Sequence, residues 1–253
     1  MSTFPATLVN ALRVTRHLMV FTGAGVSAES GISTFRDSLS GLWARFDPAR
    51  LATPEAFEQD PALVWGWYEW RRQQVLKALP NAAHRAIAAL ETQVPKLTLV
   101  TQNVDDLHER AGSAEVIHLH GSLQQPRCAA CGALHEAAPQ ASAEAAEGQR
   151  LEPPACEVCG GVVRPGVVWF GESLPGEALQ MAFDTAGRCD GLLSIGTSGL
   201  VQPAAAIPQV AAEQGAWVAH INLEPVAVRG RRQFSLEGPA GEVLPALLGE
   251  AFD

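Results

Sequence analysis

The sequence predicts an α/β fold in which a parallel β-sheet carries helices on both faces and a smaller lobe is inserted into it. Three observations lead to this prediction. Short apolar runs alternate with helical segments along most of the chain, a glycine-rich turn directly follows the first run, and two segments break the alternation. Alternating strands and helices are typical of parallel sheets, because each parallel connection has to cross back over the sheet.

Five apolar runs are predicted to be the strands, since each is short, largely aliphatic and followed by turn residues. The first run, HLMVFT, ends in glycines. In chain order the predicted strands cover residues 17–22, 97–101, 116–119, 191–195 and 216–221.

The segments between the strands carry helix start and stop signals. Asn81 is a suitable N-cap for a helix that extends to about Glu91, and Pro175 or Gly176 begins another helix that ends near Gly187. Two more helices are predicted over residues 203–214 and 240–248.

Two segments that do not fit the alternation are assigned to a small lobe. Residues 38–79 are predicted to be a polar loop followed by a tryptophan-rich amphipathic helix, and residues 122–168 contain four of the five cysteines. The large lobe then takes approximately residues 1–37, 80–121 and 169–253.

Composition excludes several classes of protein. Of the 253 residues, 47% are hydrophobic and 18% charged, which is typical of a globular chain with a large core. The 27 acidic and 18 basic residues leave a net charge of −9, which repels phosphate backbones, so we expect no nucleic-acid partner. No apolar run approaches the ~18–20 residues of a membrane span, so we expect no membrane partner and a cytoplasmic location.

Four cysteines form two C-x-x-C pairs, while Cys189 stands apart. Twenty-four residues separate the second cysteine from the third. Paired thiolates at this spacing bind Zn²⁺ tetrahedrally, and four of them fill its coordination sphere, so the predicted metal is structural. The alternative is four ordinary buried thiols. The predicted ligands are Cys128, Cys131, Cys156 and Cys159.

The glycine-rich turn Gly23-Ala24-Gly25-Val26-Ser27-Ala28 follows the first predicted strand and satisfies G-x-G-x-x-[G/A]. Such glycines let the backbone approach a pyrophosphate at the start of a helix, which favours nucleotide binding. A plain dehydrogenase would place a second strand and an acidic residue ~20 residues further on, but a polar segment follows here instead.

Polar residues also follow the second predicted strand. Gln102, Asn103 and Asp105 stand at its carboxyl end, where open α/β sheets bind ligands, and their groups suit a carboxamide or ribose hydroxyls. The alternative, equally supported by these residues alone, is a cap for a helix over residues 106–110.

Two histidines lie on one face of the third predicted strand. His120, before a glycine at the strand's end, is the better placed to act as a base, since histidine titrates near neutral pH. We interpret His118 as a structural hydrogen-bond donor.

Together these motifs resemble the sirtuins, the NAD-dependent protein lysine deacylases, over nearly the whole chain. The matching segments are residues 23–32, 34–36, 101–105, 120–122, 167–172, 196–198 and 222–224, with the four cysteines. The resemblance implies a Rossmann-like large lobe, NAD as cofactor and one structural zinc. It also implies that acylated lysine side chains of other proteins are the substrates, and that the acyl group passes to ADP-ribose with release of nicotinamide and free lysine.

The resemblance implies roles for individual residues. His120 corresponds to the general base. Val167, Val168, Trp169 and Phe170 look like the strand that pairs with the substrate backbone, with Phe170 as a wall of the acyl-lysine tunnel. The implied NAD contacts are Gly23, Ala24, Gly25, Ser27, Phe35, Arg36, Gln102, Asn103, Asp105, Gly196, Thr197, Ser198, Asn222 and Ala240.

Tyr68 and Arg71 stand three residues apart in a predicted helix and so share a face. The sirtuins that remove succinyl and malonyl groups have this Tyr-x-x-Arg in the acyl pocket, and a guanidinium with a phenol can bind a carboxylate. The alternative is a helix on which Arg71 and Arg72 are merely solvated.

Two other functions stay open on the sequence. One is a mono-ADP-ribosyltransferase, and the other is a non-enzymatic module that binds zinc and a nucleotide. His120 with Asn103 and Asp105 argues against the second. The chain also departs from the usual sirtuin pattern, which has proline in place of Ser33 and a glycine-rich stretch in place of residues 37–40.

Overall fold

The structure is a computed structural model, and it describes residues 3–33, 51–136 and 149–252. The strands are β1 (His17–Thr22), β2 (Lys96–Thr101), β3 (Val116–His118), β4 (Arg127–Cys128), β5 (Val163–Arg164), β6 (Gly191–Ile195), β7 (Trp217–Asn222) and β8 (Gln233–Glu237). Six of them form a parallel sheet in the order β3-β2-β1-β6-β7-β8, while β4 and β5 form an antiparallel ribbon.

The helices lie mainly between the strands along the chain. None of those in the described residues is both long and apolar enough to cross a membrane. A short 3₁₀ turn covers Ala204–Ala206, and the α-helices are α1 (Ala6–Val14), α2 (Gly25–Ala28), α3 (Pro54–Gln59), α4 (Pro61–Lys77), α5 (Ala82–Gln93), α6 (Leu107–Arg110), α7 (Gly176–Ala186), α8 (Ile207–Glu213) and α9 (Ala240–Phe252).

Helices cover both faces of the sheet, as predicted. In β1, Leu18 and Val20 belong to one hydrophobic cluster, which α1, α5 and α9 complete. Met19 and Phe21 belong to another cluster, which α7 and α8 complete. Successive side chains of a strand point to opposite faces, so one buried strand supplies both cores.

The predicted strands and helices are confirmed to within a few residues. Asn81 is the N-cap of α5, and its side chain accepts a hydrogen bond from the Ala83 N–H at 2.9 Å. The single helix predicted over residues 203–214 is wrong in detail, because the α-helical part begins at Ile207. Pro208 favours that start, since proline fits the first turn of a helix but not its interior. Neither α1 nor β8 is predicted from the sequence.

The prediction that the tryptophan-rich helix is amphipathic is wrong. In α4 the six successive residues from Val64 to Glu69 are all buried. One side packs with Val167 and Trp169, while Trp65 packs against the cysteines. This helix therefore lies inside a second core, with no solvent-facing stripe over these turns.

Candidate active site and metal centre

The carboxyl ends of the parallel strands gather the polar motifs at one edge of the sheet. Thr22 of β1 pairs with Thr101 of β2 on one side and with Ile195 of β6 on the other. The loops after β1, β2 and β6 therefore start side by side. The chain runs from β1 to β2 and β3 on one side and later crosses to β6 on the other side of β1. The edge between β1 and β6 is therefore a topological switch point, where open α/β sheets bind ligands.

The glycine-rich loop after β1 packs directly against the loop after β6. The Gly25 N–H donates to the Gly196 carbonyl at 2.9 Å. A Cβ atom on Gly25 would lie 2.7 Å from the Gly196 Cα, and one on Gly23 would lie 2.8 Å from the Gly196 oxygen. Both glycines are therefore required by the contact between the two loops, which has no room for a side chain at either position.

A buried polar cluster joins the ends of β1 and β2. The Asn103 side-chain amide donates to the Ser27 hydroxyl at 3.0 Å, and the Ser27 hydroxyl donates to the Asp105 carboxylate at 3.0 Å. Asp105 also accepts the Leu107 N–H at 3.1 Å, although the N-cap of α6 is Asp106, whose side chain makes no capping hydrogen bond. Burial raises the pKa of Asp105, while these two hydrogen bonds oppose the rise.

His118, the last residue of β3, and His120, just after it, have different partners. Nδ1 of His120 lies 2.8 Å from the Gln102 carbonyl oxygen, and Nε2 has no partner among the described residues. Burial lowers the pKa of His120, although the Gln102 carbonyl acts in the opposite direction. His118 lies between the Asn103 carbonyl, 3.1 Å from Nδ1, and the Glu109 carboxylate, 2.7 Å from Nε2. The structural interpretation of His118 agrees with these contacts.

Two further histidines lie beneath the cluster, and the sequence analysis missed both. Nε2 of His84 is 3.4 Å from the Ser27 hydroxyl, and Nε2 of His108 is 2.9 Å from the Thr22 hydroxyl. Their ring centroids are 4.9 Å apart. Burial lowers the pKa of His84 to about 4 and that of His108 to about 3. Both rings are therefore neutral supports for the polar cluster at physiological pH.

The far side of the candidate nucleotide site involves β6, β7 and α9. The Asn222 amide donates to the Thr197 carbonyl at 3.2 Å, and the Ser198 hydroxyl accepts the Leu200 N–H at 3.4 Å. Ala240 begins α9, and its side chain is buried in the core beside the sheet. Phe35 and Arg36 lie outside the described residues.

Residues 167–170 lie beside His120, although they do not form a strand. Val167 makes a single antiparallel bridge to Gly121, and the Val168 N–H donates to the His120 carbonyl at 2.8 Å. The Phe170 N–H donates to the Ala52 carbonyl at 2.9 Å, and the ring of Phe170 is 48% exposed. Main-chain hydrogen bonds to His120 and Ala52 hold this segment in place.

Tyr68 and Arg71 lie in α4, on the side that packs toward Trp169. The Tyr68 hydroxyl accepts a hydrogen bond from the Trp169 indole at 3.1 Å, and burial raises the Tyr68 pKa to about 12. The Arg71 guanidinium stacks 5.0 Å from the Trp67 ring centroid. Burial lowers the pKa of Arg71, and the nearby charges of Tyr68 and Asp105 raise it.

The alternative of two solvated arginines does not hold. Arg72 is 5% exposed and makes a bidentate ion pair with Glu69, with one N–O distance of 2.8 Å. Arg71 is partly buried, and no carboxylate pairs with it in the described part of the chain. The two neighbouring arginines therefore differ: one has an internal counter-ion, and the other has a guanidinium available to a ligand.

The four cysteines outside the sheet form one cluster, in which all Sγ atoms lie within 4.8 Å of one another. The Sγ–Sγ distances are 3.5 Å between Cys128 and Cys159 and 3.8 Å between Cys131 and Cys156. A tetrahedral zinc with Zn–S bonds of ~2.3 Å requires sulfurs about 3.8 Å apart, so the cluster fits one ion. The Cys128 Sγ accepts hydrogen bonds from the Ala130 and Cys131 N–H groups at 3.4 and 3.5 Å, which favours the thiolate that binds metal.

The chemistry available at this edge follows from these contacts. His120 offers an unprotonated nitrogen, and the cluster of Ser27, Asn103 and Asp105 offers amide and carboxylate groups. A proton acceptor at the carboxyl edge of a parallel sheet, with these polar groups on the adjacent loops, suits group transfer that involves a sugar hydroxyl. The cysteine cluster has no open coordination position and suits a structural metal.

Comparisons with known proteins identify the family of this chain. Residues 23–203 match the model of the Sir2 family. The chain is 64% identical to the NAD-dependent protein deacylase 1 of Pseudomonas aeruginosa over 97% of this chain and 98% of that protein. It is 56% identical to the NAD-dependent protein deacylase of Methylococcus capsulatus over 97% of this chain and 96% of that protein.

Solved structures show the same fold. A Sir2 homologue in complex with NAD is 45% identical and superposes with a TM-score of 0.88 over 99% of this chain and 94% of that chain. A mutant Sir2 homologue in complex with 2′-O-acetyl ADP ribose is 44% identical, with a TM-score of 0.87 over 98% and 96%. A Sir2–p53 peptide–NAD⁺ complex is 28% identical, with a TM-score of 0.82 over 99% and 98%. By its matched residues, its relatives and its fold, the chain belongs to the Sir2 family.

Proposed function

We propose that this protein is an NAD-dependent protein lysine deacylase that transfers the acyl group of an acylated lysine to ADP-ribose and releases nicotinamide and free lysine. The position of His120 carries the proposal. Its Nδ1 is hydrogen-bonded to the Gln102 carbonyl, so its Nε2 is an acceptor beside the cluster of Ser27, Asn103 and Asp105. The deacylase relatives and the Sir2 homologue with bound 2′-O-acetyl ADP ribose favour this reaction over ADP-ribosyl transfer to a protein.

Residue roles follow from this placement. Gly23, Ala24 and Gly25 line the NAD phosphates, and the loop contact leaves no room for side chains on the two glycines. Ser27, Gln102, Asn103 and Asp105 bind the nicotinamide ribose and carboxamide. The resemblance to the family gives Phe35 and Arg36, which lie outside the described residues, a role at the nicotinamide end of NAD. The adenosine half contacts Gly196, Thr197, Ser198, Asn222 and Ala240.

When bound, NAD supplies the ribose carbon that receives the acyl oxygen as nicotinamide leaves. The chain contributes the positions and the proton transfer. The segment 167–170 and the exposed Phe170 ring hold the acyl-lysine against the cofactor site, which makes the attack effectively intramolecular. His120 Nε2 accepts a proton from a ribose hydroxyl, and its neutral state at physiological pH follows from its burial. The Gln102 carbonyl keeps the ring in this tautomer.

The zinc has a structural role in this proposal. Four thiolates leave no position for water or substrate, and Cys128 and Cys156 pack in a small hydrophobic cluster with Trp65 of α4. The metal therefore stabilises the part of the chain that holds α4 and the segment 167–170.

The preferred acyl group has a terminal carboxylate, as in succinyl- and malonyl-lysine. This proposal depends on Tyr68 and Arg71. The Arg71 guanidinium has no carboxylate partner among the residues the structure describes, although it is partly buried. A buried cation without a counter-ion is costly unless a ligand neutralises it. A carboxylate at the end of the acyl chain is the simplest such ligand.

We further propose two lobes, with residues 38–79 and 122–168 as the small one, because α4 and the cysteines form hydrophobic clusters separate from the two beside the sheet. A reducing compartment such as the cytoplasm suits the protein, since its metal site requires thiols.

The test is nicotinamide release from NAD with three peptides that differ at one lysine: succinylated, acetylated and unmodified. Release that requires an acylated peptide and yields an equal amount of free lysine peptide supports the deacylase. Release without an acylated peptide, together with ADP-ribose attached to protein, would instead identify a transferase. A higher kcat/KM for the succinylated peptide than for the acetylated one supports the carboxylate pocket.

A further inference from the structure

The Tyr68 hydroxyl has one protein neighbour that determines where its proton points. The Trp169 Nε1 lies 3.1 Å from the Tyr68 hydroxyl oxygen. An indole nitrogen can donate but cannot accept, so the tyrosine oxygen is the acceptor. The phenol still has one proton to donate, and no acceptor in the described part of the chain receives it.

This hydrogen bond restricts the hydroxyl. Since one side of the oxygen accepts the indole N–H, the hydroxyl proton is directed to another side. The residue is 6% exposed, so bulk water reaches it poorly. A buried donor without a partner is unfavourable, and it is satisfied when a ligand brings an acceptor to it.

Trp169 itself is held rigidly. The Arg164 guanidinium lies 3.5 Å above its ring centroid, and the Phe57 ring centroid is 5.3 Å away. Glu172 fixes both the arginine and the tryptophan backbone: it accepts from Arg164 Nη2 at 2.9 Å and from the Trp169 N–H at 2.8 Å. With 3% exposure, the indole has little room to turn away from Tyr68.

The second donor in this region belongs to the same helix. Arg71 stands one turn after Tyr68 in α4, and each residue's charge affects the pKa of the other. Its guanidinium contacts the Trp67 ring and has no carboxylate partner among the described residues. Tyr68 and Arg71 therefore present two neighbouring donors, which suit an anionic group with two oxygens.

We propose that Trp169 is a specificity-determining positioning residue, whose indole N–H orients the Tyr68 hydroxyl toward the terminal carboxylate of the acyl group. This inference deepens the proposed function and rests on it. Arg164 and Glu172 support the same arrangement by fixing the indole. An acetyl group ends in a methyl and has no terminal acceptor, so the oriented hydroxyl favours succinyl- or malonyl-lysine and does nothing for acetyl-lysine.

The test compares kcat/KM for succinyl- and acetyl-lysine peptides in Trp169→Phe, which keeps an aromatic ring and removes the N–H. We expect the succinyl-to-acetyl ratio to fall by about 3- to 10-fold, the usual effect of losing one neutral hydrogen bond. In the Tyr68→Phe background, the addition of Trp169→Phe should not lower the succinyl-to-acetyl ratio any further, because the hydroxyl that the indole orients is already absent.

A matched control exists in the core of the sheet. The Trp217 indole donates to the Thr15 hydroxyl at 2.9 Å, which is the same kind of bond in a buried site away from the acyl pocket. Trp217→Phe should lower stability and leave the ratio at the wild-type value. If Trp169→Phe does not fold, Trp169→benzothienylalanine replaces the N–H by sulfur with almost no change of shape.

The outcomes separate the inference from the proposed function. A wild-type protein that acts on neither peptide contradicts the deacylase proposal, and one that acts on acetyl-lysine alone contradicts the carboxylate pocket and the role of Trp169 with it. If the wild type prefers succinyl-lysine and either Trp169 variant keeps the wild-type ratio, the inference alone is overturned. A fall in the ratio that persists in the Tyr68→Phe background would also overturn it, because Trp169 would then act on something other than the hydroxyl.

Discussion

Nδ1 of His120 is hydrogen-bonded to the main-chain carbonyl of Gln102 over 2.8 Å. A carbonyl oxygen only accepts, so Nδ1 carries the proton of the neutral ring and Nε2 keeps its lone pair. The contact joins the end of β2 to the residues just after β3. The same backbone that follows the second strand therefore sets the tautomer of the candidate base.

His120→Ala should reduce deacylation by ~10²–10⁴-fold, the usual effect of removing a general base. We expect the fold and the zinc to be retained, since the ring makes this one hydrogen bond to the described chain. Turnover of an acyl-lysine peptide is the measurement, with metal content and a melting curve as checks. His17→Ala, at the opposite end of the sheet, is the control. Near-normal turnover by a folded His120→Ala protein would rule out the assigned role.

The pH dependence of the same residue gives a second test. Burial lowers the pKa of His120 below the ordinary value of 6.5, so the neutral base persists to lower pH than in a free histidine. We expect kcat/KM to fall on the acidic side with a midpoint below 6.5, because kcat/KM reports the free enzyme. If the midpoint lies above 6.5, or if a slowly active His120 variant keeps the same fall in kcat/KM at acidic pH, another group is responsible for that fall.

Cys156→Ala should give metal-poor and less stable protein, since a structural zinc contributes folding free energy directly. Zinc content by mass spectrometry and the melting temperature are the measurements. Cys189→Ala is the matched control, because Cys189 is a buried thiol outside the cluster and should keep the metal. One zinc per chain with an unchanged melting curve in Cys156→Ala would contradict a four-thiolate site.

Arg71→Met should lower desuccinylation by roughly 10- to 150-fold, the effect of losing a hydrogen bond to a charged group, while acetyl-lysine turnover falls only slightly. The comparison of the two peptides is the measurement. Arg72→Met is not a suitable control, because Arg72 is the buried partner of Glu69. Arg188→Met is suitable, since Arg188 is exposed on the surface. Equal losses on both peptides would show that Arg71 supports the fold.

His118→Gln should lower stability mainly in mildly acidic solution. Both ring nitrogens of His118 face acceptors, the Asn103 carbonyl and the Glu109 carboxylate, and only the protonated ring can donate to both. Although burial alone lowers it, the net pKa of His118 is raised above 6.5, chiefly by Glu109. The stabilisation is therefore complete below 6.5 and is lost as the pH rises through the folded-state pKa.

The contribution of Glu109 to stability has the opposite pH dependence. Burial opposes its ionisation, but His118 lowers its net pKa below 4.5, so its contribution is lost as the pH falls through that lowered value. Asp105 and His108 are the other titrating groups whose charges couple to His118. The measurement is the melting-temperature difference between wild type and His118→Gln at about pH 6 and about pH 9. A difference that does not shrink at the higher pH would show that the ring is neutral in the folded protein.

The sheet could be predicted from the sequence because its strands are buried on both faces. The run from His17 to Thr22 is apolar without alternation, and a glycine ends it. The start of α5 could also be predicted from local sequence, because the side chain of Asn81 itself caps the helix. In contrast, β8 is a short edge strand in which Phe234 and Leu236 are only partly buried, so its apolar signal is weak.

The candidate site was harder to predict where its contacts come from distant parts of the chain. Asn103, Asp105 and His120 follow strands and could be assigned from position. His84 and His108 could not, because their partners Ser27 and Thr22 lie 57 and 86 residues away. The burial of Arg72 did have a local signal, since Glu69 stands three residues before it.

The ribbon of β4 and β5 connects the metal centre to Trp169, which belongs to the proposed acyl pocket. Cys128 pairs with Val163, and the adjacent residue Arg164 is the one whose guanidinium lies on Trp169. Zinc is thus expected to stabilise the position of Trp169 through the ribbon. Chelation of the metal should speed amide hydrogen exchange at residues 163–169 before it affects β1. Equal protection of these amides with and without metal would show that zinc does not stabilise this segment. A chain that keeps its sheet and its nucleotide loops while it loses zinc should therefore lose acyl discrimination first.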